Sequence, residues 1–102
     1  MSLIDWSDPD EMLGLLVEYV ADEAVASYDD PDRAHFLNLL SRELAAIAGQ
    51  DLESVDRMAL TLSEIRDAQP REFGGDAVMA HVEACIEELR RIEAVNRRGS
   101  RA

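Results

Sequence analysis

Residues 30–49 read DPDRAHFLNLLSRELAAIAG, and the architecture of the whole chain follows from them. Asp30 stands where a side-chain oxygen can cap a helix. Pro31 takes the first helical position, where a missing N–H leaves nothing unpaired. Gly49 is placed as a left-handed stop. Between these marks Phe36, Leu37, Leu40, Leu44 and Ile47 fall on one stripe at about 100° per residue, and nothing alternates with period two. The stretch predicts an amphipathic helix over 31–48, with one apolar face that other elements must cover.

The same grammar recurs on both sides. Ser7-Asp8-Pro9-Asp10-Glu11 opens a helix over about 9–27, with Asp8 as its cap and Leu13, Leu16, Val20 and Ala24 in its stripe. The residues after the two Asp-Pro-Asp openings do not align (Met12-Leu13-Gly14-Leu15 against Ala34-His35-Phe36-Leu37), so shared capping chemistry explains them better than duplication. Asp51 precedes a third helix over about 52–69, carrying Val55, Met58, Ala59, Leu62 and Ile65 and ended by Pro70. Gly74-Gly75 resets the chain, and Asp76 caps a fourth helix over about 77–97 with Val78, Val82, Cys85, Leu89 and Ile92 in its stripe. Residues 1–6, with Leu3, Ile4 and Trp6, are expected to cover one end of the helices, and 98–102 to form a frayed tail. Helices of this length on short connections pack antiparallel. The expected fold is therefore a single all-α domain over 1–102, an up-down four-helix bundle. The alternative is a shorter helical unit that completes its core by dimerising.

Composition narrows the function classes. The 102 residues carry 22 acids against 10 bases, a formal net charge of −12, and 47% of them are apolar. That apolar share is too high for a disordered chain. One cysteine forbids an internal disulfide framework and a multi-cysteine zinc site. No apolar run is long enough to span a membrane and no secretion signal is visible, so a cytoplasmic location is expected. The charge argues against a grip on nucleic-acid phosphates. All ten bases are arginine, as a GC-rich, bacterial type of coding bias would produce. The charge is also unevenly placed: residues 1–32 hold ten acids and no base, whereas residues 90–102 hold five arginines against Glu93. Glu87–Arg91 and Glu93–Arg97 read as ordinary surface pairs of the last helix.

Little here spells catalysis. A di-iron bundle needs Glu-x-x-His pairs on two helices, and neither His35 nor His81 follows a glutamate by three residues; Asp32-x-x-His35 comes nearest. His81 and Cys85, one turn apart, are the only candidate metal or redox pair, and they fall short of the ligands a zinc site requires. The acids around Cys85 raise a thiol's pKa, the wrong direction for a nucleophile. No Gly-x-Ser-x-Gly elbow is present, and the anion-binding potential of Gly74-Gly75 before a helix is opposed by Asp76. Glu23 breaks the polar pattern by projecting into the apolar sector of the first helix. It requires either a functional role or an arginine from another helix.

The first helix is the most informative for binding. Glu11, Glu18 and Asp22 share one acidic stripe, while Met12, Leu15, Tyr19 and Ala26 widen its apolar arc to roughly 200°, more than one core-facing stripe needs. Met79 and Ile86 do the same on the fourth helix. A helix packed centrally between two neighbours, a homodimer face or a partner surface would each use such an arc. The expected function is non-enzymatic and needs no cofactor. It is protein–protein contact of an adaptor, inhibitor, or immunity- or antitoxin-like kind, with a basic partner and with Glu11, Glu18, Asp22, Met12, Leu15 and Tyr19 as contact residues. The alternative is a small metal- or redox-active bundle built on His81 and Cys85.

Overall fold

The computed structural model describes residues 9–50 and 54–99, and these form four α-helices, α1 (Pro9–Ala26), α2 (Pro31–Ala48), α3 (Val55–Ala68) and α4 (Ala77–Gly99), plus a 3-10 turn at Arg71–Phe73. No strand occurs among the described residues, and the architecture is an all-α four-helix bundle. α1 and α2 form one antiparallel hairpin across the turn in which the Asp30 N–H donates to the Ser27 carbonyl at 2.9 Å. α3 and α4 form the second, joined through residues 69–76. The hairpins meet where α1 crosses α4, with the Tyr19 and His81 rings 4.3 Å apart. They meet again where the 3-10 turn stacks Phe73 flat on Phe36 of α2 at 4.2 Å.

The core is the sum of the four predicted stripes. Leu13, Leu16, Val20 and Ala24, all five stripe residues of α2, Met58, Ala59 and Leu62, and Val78, Val82, Cys85 and Leu89 are buried. Val55, Ile65 and Ile92 are half-buried at its margin. Burial of this kind, at roughly 1.5–3 kcal/mol per large side chain, is what holds such short helices together. Met12, Met79 and Ile86 join the core as well. Each of these two helices packs against more than one neighbour, which takes Met12 from the wide arc of α1 and both Met79 and Ile86 from that of α4, while Leu15 and Ala26 stay exposed.

Local chemistry explains the helix ends, and three expectations need correction. Asp30 caps α2 by accepting from the Arg33 N–H at 3.2 Å, as anticipated. Gly49, in contrast, is not a left-handed stop. Its φ of −85° and ψ of −6° continue the right-handed turn, its N–H still reaches the Ala45 carbonyl at 3.1 Å, and no described residue has positive φ. α3 starts at Val55 rather than near 52, because the Ser54 hydroxyl accepts from the Arg57 N–H at 3.1 Å and so fixes the cap there. It stops at Ala68 because Gln69, preceding Pro70, is driven to the extended region, ψ 151°. α4 continues to Gly99, past the expected end at 97. The expected cap Asp8, the apolar lead-in 1–6, Asp51 and residues 100–102 lie outside the described residues.

Candidate functional site

α1 presents two faces of opposite character. Leu13, Leu16 and Val20 point into the core, so the opposite side, at spacings of four and three residues, must carry Glu11, Leu15, Glu18, Asp22 and Val25. All five are exposed, Leu15 at 36% and Val25 at 77%. Just beyond, in the α1–α2 turn, Tyr28 is 87% exposed beside exposed Asp29 and Asp30. Together they form an acidic stripe with three apolar side chains set into it. Of the contact residues expected from sequence, Glu11, Leu15, Glu18 and Asp22 come together on this face. Tyr19 sits on its flank, half-buried against the core and His81. Met12, 1% exposed, is a core residue and is not available to a partner, since it lies about 100° around the helix from Glu11, on the side covered by the bundle. Val25 and Tyr28 were not anticipated. Val25 continues the spacing of the acidic stripe, which is the signal that reveals it, whereas the exposure of Tyr28 depends on the turn.

α1 carries no base of its own, and the first base after it in sequence is engaged elsewhere. Arg33, in the first turn of α2, is gathered inward by three segments. Its Nε donates to Asp76 Oδ2 at 2.7 Å and its Nη2 to Asp76 Oδ1 at 3.0 Å, in a bidentate pair. Nη2 also reaches Glu23 Oε1 at 3.3 Å, and Nη1 donates to the Ser27 hydroxyl. That hydroxyl donates in turn to the Glu23 carbonyl at 2.8 Å. The apolar-sector position of Glu23 is thereby explained by an arginine from a neighbouring helix. Asp76 has a second duty: its Oδ1 accepts the Val78 N–H at 2.9 Å and caps α4, as expected. The Arg33 guanidinium, more than the Val78 N–H, holds the Asp76 carboxyl below the usual carboxylate range against the opposing effect of burial. Asp76 in turn raises Arg33. Neither α1 nor α2 carries a base of its own in its last turn; at the end of α1 the Arg33 guanidinium of α2 supplies the positive charge.

His81 and Cys85 lie one turn apart on α4. The two line a shallow cleft of about 210 Å³ with Ala84 and Glu88. Cys85 is 3% exposed, and burial first and the Glu88 charge second push its thiol up to about 11. His81 is exposed on its other side from the Tyr19 ring. Among the described residues no three His, Cys, Asp or Glu side chains converge to hold a metal ion. His35 is exposed at the surface of α2. At the basic end, Arg91 pairs with Glu88, its Nε 3.1 Å from Glu88 Oε1, and not with Glu87 as expected; the three-residue offset brings Glu88 into reach. The Arg97 side chain lies outside the described ones. No helix of the described residues is long and apolar enough to cross a membrane. No family model, curated protein or solved structure matches the chain.

Proposed function

We propose that this protein is a non-enzymatic binding module that recognises a basic partner protein through the outer face of α1 and the α1–α2 turn. The observation that carries the reading is the exposed run Glu11, Leu15, Glu18, Asp22, Val25 and Tyr28. Carboxylates alone would only solubilise. An aliphatic pair and an exposed tyrosine set among them supply what an interface core needs, since aromatic anchors dominate binding energy while surrounding charge sets encounter rate and partner choice. The inward clasp on Arg33 supports the reading, because it engages that base with Glu23, Ser27 and Asp76 instead of with Glu18 or Asp22. An inhibitor or antitoxin that covers a basic enzyme is the specific role with the best charge match, and it accords with a cytoplasmic location.

The test is capture from native cell extract on the immobilised chain at low salt, with the triple variant Glu11→Gln, Glu18→Gln, Asp22→Asn run in parallel. Recovery of a basic protein that the triple variant binds about tenfold or more weakly, with the difference shrinking at high salt, is the expected result. Equal affinity for both forms removes this face from the interaction. Stoichiometric zinc or iron in the purified protein, lost on His81→Ala, would instead favour the metal-dependent alternative.

A further inference from the structure

A second surface, separate from the α1 face, has its own recognition chemistry. Between α2 and the segment joining α3 to α4 runs an open groove of about 490 Å³. Its apolar part comprises Leu39, which is 45% exposed, together with Pro70 and the stacked Phe36 and Phe73 rings. Its polar part carries three exposed carboxylates, Asp32, Glu43 and Glu72, together with Gln69 and the exposed His35, and no arginine lines it. Those carboxylates have no ion-pair partner among the described residues. The neighbouring cleft across the same connection differs in this respect, since it contains Arg66 and Arg71, and Arg66 is already tied to Asp67 and Glu83.

We propose that the groove binds an extended peptide segment of another protein in which arginine or lysine alternates with aliphatic residues. In an extended strand successive side chains point to opposite sides. One set can then settle on Leu39, Pro70 and Phe73, while arginine or lysine side chains of the other set are long enough to fold back to the carboxylates along the rim. A guanidinium over the Phe73 ring would add a cation–π contact, which suits arginine better than lysine. Charge complementarity fixes the occupant: an acidic or neutral segment leaves three carboxylates uncompensated beside apolar surface, and another face as acidic as α1 is repelled. The stack of Phe73 on Phe36 already places the floor of the groove, which limits the ordering required of the protein on binding.

The probe is a fluorescently labelled peptide of alternating arginine and leucine, read by anisotropy at low salt, with an alternating glutamate–leucine peptide as control. The expected result is binding of the arginine peptide only, weakened about fivefold by Glu43→Gln with Glu72→Gln, and weakened also by Leu39→Ala. The pair Asp56→Asn with Glu87→Gln removes the same number of charges from exposed positions outside both the groove and the α1 face, and should leave affinity within about twofold. Equal weakening by the two double variants would mean that the peptide reads only net charge, and this would overturn the proposal. So would binding of the glutamate peptide, or indifference to Glu43, Glu72 and Leu39. Sedimentation of the full chain supplies a further check. A dimer that becomes monomeric on Leu39→Ala would assign the groove to a second copy and overturn the peptide assignment. Because the probe is independent of the natural partner, failure here leaves the α1 reading standing, and the reverse also holds.

Discussion

Asp76 joins two jobs that substitution can separate. Asparagine retains a capping oxygen for the Val78 N–H but loses the charge that pairs with Arg33, whereas alanine loses both. Asp76→Ala is expected to cost about 3 kcal/mol and Asp76→Asn about half of that, measured by urea unfolding. The sign with pH follows from the lowered carboxyl pKa. The stabilisation is complete above the unfolded value of about 4 and is lost as pH falls through the lower folded value. The gap between wild type and Asp76→Asn should therefore be constant near neutrality and close on acidification below about pH 4. Cys85 behaves oppositely to an activated thiol. With its thiol pushed up to about 11, alkylation at pH 8 in the folded protein should run on the order of 100-fold slower than in the unfolded chain, followed by thiol titration. Rates matching an exposed cysteine would contradict the burial seen here. The capping role of Asp76 and the need of Glu23 for an arginine were legible in sequence. The arginine's identity was not, because Arg33 and Asp76 are 43 residues apart and meet only once both hairpins are packed.

Helix α2 emerged with the limits that its capping signals and stripe predicted, since cap, proline and periodicity all agree there. α3 shows what happens when local signals compete. Asp51 and Ser54 are both capping types, and only backbone geometry selects Ser54. Ser54→Ala is accordingly expected to cost about 1 kcal/mol in thermal or chemical unfolding. Gly49 shows the complementary failure, as glycine permits a left-handed stop without requiring one. A different glycine offers a gain: Gly14 lies exposed within α1, and a methyl group there meets nothing within 4 Å. Gly14→Ala should stabilise the protein by about 0.5–1 kcal/mol, seen as a higher Tm. Within α3, Leu62 is fully buried and Leu60 is 54% exposed. Leu62→Ala is expected to lose about 2–5 kcal/mol, and Leu60→Ala less than about 0.5. Similar losses at both positions would contradict the orientation of the helix.

For the molecule as a whole, the net charge of −12 is a matter of placement. Acids fill the outer face of α1 and the α1–α2 turn, and the first base after them in the chain, Arg33, is held between Glu23, Ser27 and Asp76. The width of α1's apolar arc overstated what is free for binding, because periodicity counts apolar residues without knowing how many neighbours a helix has. Met12 went to the core, and Leu15, Val25 and Tyr28 remained outside. Neutralising Glu18 and Asp22 should leave the Tm unchanged or raise it, since it relieves like-charge repulsion. Any loss of binding in that variant would then belong to the interface and not to unfolding. Methyl NMR during titration with the captured basic partner reports most directly on where that partner sits, through Leu15 and Val25 on the α1 face and Leu60 on α3 as a distant reference. Large shifts at Leu15 and Val25 with Leu60 unmoved are the predicted result; shifts at Leu60 with Leu15 and Val25 silent would contradict it.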